Sequence, residues 1–211
     1  MNTRSNKNLF LFTAEFPNGR SESNFLSAEI EFLANRFSKV YLIPFKTQKE
    51  NIGIPLPSNV TVLDFNSNIL TEKDRIKHVV TAFQILVTEI VSRNGLKILK
   101  NFRYHLSQSV NYSCIADKLY ARLTKLNYSQ EDILYTYWFD EWTSVLCILK
   151  KKLLLKNNLI TRAHGFDLYD YRNQLNYIFP RYFQFKYVNM VYSISMNGQA
   201  KIELLKIEIQ T

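Results

Sequence analysis

The stretch from Leu159 to Asp170 gathers the residues best suited to chemistry: an apolar lead-in, then Arg162, His164, Gly165, Asp167 and Asp170. An imidazole titrates near ~6.5, so His164 can exchange protons close to neutrality or hydrogen-bond a ligand. A carboxylate at Asp167 can accept from a hydroxyl, or orient His164 or Arg162. The run Asn158 to Ala163 reads as a buried strand that delivers His164 at its C-terminal end. Open α/β sheets bind their ligands at such ends. The same residues also suit a strand that simply runs into a polar surface loop.

The rest of the chain has the elements to hold such a strand. Asn8 to Phe16 is apolar and aromatic, is bounded by Pro17-Asn18-Gly19, and reads as a first buried strand. Capping residues in Arg20 to Asn24 then open a helix marked by Leu26, Ile30, Leu33 and Phe37. Its N-terminal loop offers backbone N–H groups that favour phosphate, although an ordinary βα turn fits equally well. Lys39 to Phe45 and Val60 to Phe65 read as further strands, separated by a polar loop over Lys46 to Asn59. Ile76, Val79, Val80, Phe83, Leu86 and Ile90 predict a helix with one apolar stripe, ended by Asn94-Gly95. A second helical region spans Leu96 to Leu126, with a break expected near Ser107.

Asp132 to Phe139 reads as an aromatic strand, and Asp140 as the cap of a helix with Trp142, Val145, Leu146 and Leu149 on one face. Lys150, Lys151 and Lys152 suit the negative end of that helix. Val188 to Ser195 is a further strand, Asn197-Gly198 a turn, and Ala200 to Thr211 a tail of mixed helix and strand character. Together these predict one α/β domain over residues 1–211, with a doubly wound, mostly parallel, Rossmann-like sheet.

Composition narrows the function classes. Hydrophobic residues make up 46% of the chain, enough for a sizeable core. With only 5 glycines there is no glycine-rich nucleotide fingerprint. His78, His105 and His164 are scattered, and Cys114 and Cys147 are not in a C-x-x-C arrangement, so no metal site is expected. The net charge of +9 attracts anions. Part of it lies in Arg93, Lys97, Lys100, Arg103, Lys118, Arg122 and Lys125, which face a single acid, Asp117. Membrane or polyanion contact is therefore open, while the absence of interleaved stacking residues disfavours nucleic acid. Without an apolar leader or a spanning stretch, a cytoplasmic protein is expected, with peripheral contact at the inner membrane left open.

Five segments, in order, resemble the N-terminal domain of family 4 glycosyltransferases of the two-domain GT-B fold, of the bacterial polysaccharide type. They are Phe16 to Glu22 with Phe25-Leu26 and Glu29-Ile30; Lys39 to Pro44; Tyr135 to Trp138 with Trp142; Arg162 to Tyr169; and Tyr192 to Ser195 with Asn197-Gly198. Met196 departs from the pattern, standing where an acid is usual. The resemblance implies a retaining transfer of sugar from a nucleotide sugar, needing no further cofactor, to a glycan or lipid-linked acceptor. It implies catalytic roles for His164 and Asp167, and substrate binding at Gly19, Glu22 and Gly165. It also implies a second, nucleotide-binding domain that the sequence does not contain. The expectation is thus half of an enzyme completed by a separate chain, or alternatively a non-catalytic binding module of the same fold, or a basic membrane-surface protein.

Overall fold

The computed structural model describes residues 5–46, 54–65, 76–92, 95–126 and 128–210, and of residues 20, 21 and 208–210 the backbone alone. Arg93, Asn94 and residues 47–53 of the Lys46–Asn59 loop lie outside the described residues. Strand β1 (Leu9–Thr13) is followed by α1 (Arg20–Arg36), β2 (Val40–Pro44) and β3 (Val60–Val62). Helices α2 (Val79–Ile90), α3 (Gly95–Lys100) and α4 (Phe102–Leu123) come next. Then come β4 (Ile133–Thr136), α5 (Glu141–Lys151), β5 (Asn158–Ala163), α6 (Arg181–Tyr187), β6 (Met190–Ser193) and α7 (Met196–Gln210).

The strands form one six-stranded sheet in the order β3-β2-β1-β4-β5-β6, and every pairing is parallel. This is the order of a Rossmann-like doubly wound domain. Strand β1 is buried along its whole length because both faces are covered. Phe10 and Phe12 face the core under α4 and α5, while Leu9 and Leu11 face Leu26 and Ile30 of α1. Trp142 anchors the first side: Phe12, Phe45 and Phe65 surround its ring at 5.1–5.3 Å, and its indole N–H donates to the Thr13 carbonyl at 3.0 Å. Strand order reverses between β1 and β4, which opens a crevice at their C-terminal ends.

Three expectations are corrected. The break in the second helical region falls at Asn101, between α3 and α4, and Ser107 lies within α4. The Asn101 side-chain amide donates to the Lys97 carbonyl, satisfying one end of α3 as α4 begins. The Asn197-Gly198 turn is instead the first turn of α7: the Gly198 amide donates to Ser195 Oγ at 3.1 Å, so a serine caps the helix. The single stripe of α2 is divided. Ala82, Ile85, Leu86 and Glu89 are buried, whereas Val79, Val80 and Phe83, together with Ile76 ahead of the helix, are exposed. This helix is apolar nearly all round, so periodicity does not choose its inner face.

Candidate functional site

Three loops meet at the crevice, and buried polar residues weld them together. In the β1–α1 loop, Glu22 is wholly buried and accepts from the amides of Ala14 (3.0 Å), Glu15 (2.6 Å) and Phe16 (2.8 Å). The Trp138 indole N–H adds a fourth bond to Glu22 at 2.6 Å, tying this loop to the exit of β4. A protein carboxylate thus occupies these amides of the loop, whereas the amides read as favouring phosphate are those near Gly19 and the start of α1. Gly19 is the N-cap of α1, and its own amide donates to the Glu15 carbonyl at 2.9 Å.

The exit of β4 is fixed from beneath. Thr136, Thr143 and Thr161 form a buried hydroxyl cluster, with Thr136 Oγ1 at 2.8 Å from Thr143 Oγ1 and 2.7 Å from Thr161 Oγ1. Thr143 and Thr161 also donate to the Trp138 carbonyl. From the β5 side, Asp167 is buried and accepts from the Phe139 amide at 2.9 Å and from the His164 amide. Its carboxylate therefore joins the β4 and β5 loops.

His164 lies at the end of β5, as its strand predicts, with its ring 4.1 Å from the Trp138 ring and 5.6 Å from that of Tyr137. Its Nδ1 stands 3.6 Å from Asp167 Oδ2, too far for a good hydrogen bond, and has no other partner. Arg162 is turned to the other face of the sheet, where it pairs with both oxygens of Glu29 at 2.8 and 2.9 Å and covers the Tyr137 ring. A Cβ at Gly165 would come within 2.7 Å of Arg172 Nη1, so glycine allows that guanidinium to approach.

A cavity of about 420 Å³ opens at the crevice. Trp138, Phe139, Tyr112 and Phe166 give it aromatic walls, and Asp140, Glu141, Asp167, Asn173, Arg181 and Gln184 its polar groups. A second cavity of about 410 Å³ shares Gln108, Phe166, Asn173, Ile178 and Phe179 with the first, making one continuous cleft. Of the sequence-predicted site residues, Asp167 lines the cleft; His164 is not among the lining residues of either cavity and stands behind Trp138 and Asp167. Gly19, Glu22 and Gly165 are not among the lining residues of either cavity.

Two of the polar groups, Arg181 and Gln184, come from α6, an element whose mixed aromatic sequence hid it. Arg181 is buried, lies 3.6 Å over the Phe139 ring, and donates to Gln184 Oε1 at 2.7 Å and to the Asp167 carbonyl. Burial lowers its pKa to about 10, against the opposing pull of Asp167. Opposite it, Asp140 caps α5 through the Trp142 amide at 3.3 Å. Burial, then the Glu141 and Asp167 carboxylates, push the Asp140 carboxyl well above its ordinary range. Pro180, just ahead of Arg181, was the available sequence signal for a helix start here.

The cleft can hold a ligand with both apolar faces and many hydroxyls: rings cover the faces, and carboxyl, amide and guanidinium groups meet the hydroxyls. Among the described residues no group of three or more His, Cys, Asp or Glu is placed to hold a metal ion. Compared with protein-family models, curated proteins and solved structures, the chain finds no match in any of the three.

Proposed function

We propose that this chain is the acceptor-side domain of a retaining glycosyltransferase, holding a glycan or lipid-linked sugar in the cleft. The observation that carries this reading is an aromatic-walled, carboxyl-bearing cleft at the switch point of a doubly wound sheet. The ordered resemblance of five segments supports it. Asp140 receives an acceptor hydroxyl, Asp167 holds the β4 and β5 loops beside it, Trp138 lies against a sugar face, and His164 backs Trp138 and Asp167 where a donor sugar would arrive from a nucleotide-binding partner domain.

A second reading, a glycan-binding module that transfers nothing, draws support from Glu22, which already occupies three amides of the β1–α1 loop. Titration of the chain with neutral and acidic oligosaccharides and with nucleotide sugars tests both. Glycan binding that Trp138→Ala and Asp140→Asn each weaken at least tenfold is expected. Sugar transfer that appears on adding a nucleotide-binding domain and drops at least a hundredfold in His164→Ala supports the enzyme. Glycan binding without any transfer supports the module. If no oligosaccharide binds, both readings fail.

A further inference from the structure

We propose that the face formed by α2, α3 and the first turn of α4 docks onto the surface of an anionic lipid bilayer. Ile76, Val79, Val80, Phe83, Val87 and Val91 run along α2 and its flanks, all exposed, with Val91 at 82%. Leu96 (86% exposed) and Leu99 extend the apolar strip along α3, and Tyr104 continues it onto α4. Monomeric surfaces rarely leave such a contiguous strip to water. Cations border it: Lys77, Lys97, Lys100 and Arg103 are all exposed. Among the described residues from 76 to 104 the sole acid is Glu89, and it is wholly buried. The described surface of this segment therefore exposes apolar, basic and a few neutral polar side chains such as Gln84, and no acid.

That combination selects the partner. An interfacial helix lays aliphatic and aromatic side chains among acyl chains while flanking lysines meet anionic headgroups. Protein interfaces are depleted in lysine at their cores and rely on tryptophan, tyrosine and arginine anchors, whereas this strip is mostly valine, leucine and isoleucine ringed by lysine. No helix among the described residues is long and apolar enough to cross a membrane, so the contact is with the surface. The strip also borders the cleft: Tyr104, His105 and Gln108 of α4 line the second cavity, and Lys97 Nζ donates to the Asn176 carbonyl at 2.8 Å, in the loop forming its rim. Docking in this way turns the cleft mouth toward the lipid, where a lipid-linked ligand would enter. The docking itself stands apart from the sugar-transfer reading, and only this orientation rests on it.

The test is co-sedimentation of the full chain with vesicles of phosphatidylglycerol and phosphatidylcholine, against pure phosphatidylcholine, with Phe83→Trp as an emission reporter. Binding to the anionic vesicles with a blue shift of the reporter is expected. Paired Val80→Asp and Phe83→Asp should weaken it at least tenfold. Lys97→Glu with Lys100→Glu and Arg103→Glu should weaken it as much and flatten its salt dependence. Circular dichroism confirms that these surface variants fold. The proposal is overturned by no sedimentation with anionic vesicles at low salt, by binding that the paired aspartates leave unchanged, or by a dimer in sedimentation velocity that buries the reporter. The vesicles carry no glycan, so failure here leaves oligosaccharide binding untouched, and failure there leaves this result untouched.

Discussion

Glu22→Ala is expected to lower the unfolding free energy by about 4 kcal/mol, since each buried donor left without a partner costs about 1–3 kcal/mol and water can rescue some of them. Four donors lose their acceptor together: the amides of Ala14, Glu15 and Phe16, and the Trp138 indole. Glu22→Gln separates shape from charge. In the native carboxylate Oε1 takes Ala14 and Trp138, while Oε2 takes Glu15 and Phe16, so each oxygen serves two donors. An amide keeps one such oxygen and turns an NH2 group toward the other pair of donors. Glutamine should therefore recover no more than half the loss in urea denaturation. Recovery to wild-type stability would mean that the nest does not need a carboxylate. Because Trp138 also walls the cleft, glycan binding should fall in both variants.

The fold was largely legible in the residues because each local signal agreed with the sheet. The strand at Leu9–Thr13 is apolar on both faces, as a central parallel strand must be, and Asp140 caps its helix as its position predicts. The cleft was less legible. His164 and Asp167 stood out because they follow a strand, yet the Asp167 carboxylate is spent on the Phe139 and His164 amides, bonds invisible without the third dimension. Arg181 and Gln184 reach the floor from an element only seven residues long, with too few apolar positions for a helical period to show. The split stripe of α2 has the same origin. When valines and isoleucines ring a helix, only its neighbours decide which of them face inward, and those neighbours include the α6 backbone that Glu89 holds.

Glu89 makes the stability of this fold depend on pH in an uncommon direction. It is wholly buried, accepts from the Phe183 amide in the first turn of α6 at 2.7 Å, and accepts from the Tyr177 hydroxyl. Burial raises its pKa from 4.5 to about 8, outweighing the opposing bond from Phe183. Between these values the folded protein keeps a proton that the unfolded chain has released. Unfolding therefore gives up a proton, and stability falls as pH rises through the window from about 4.5 to about 8, levelling off above it. At its steepest the loss is roughly 1 kcal/mol per pH unit. His105, whose pKa burial lowers, acts oppositely below its ordinary value of 6.5, so the comparison must be with a variant. Glu89→Gln retains an acceptor for Phe183 and carries no titratable proton. It should match the wild type near pH 5 and exceed it by several kcal/mol at pH 8.5 in paired urea titrations, a margin set by the same shift. Parallel curves for the two proteins from pH 5 to 8.5 would overturn the assignment. Since α6 carries Arg181 and Gln184 into the cleft, ligand binding at pH 8.5 should weaken in the wild type more than in Glu89→Gln.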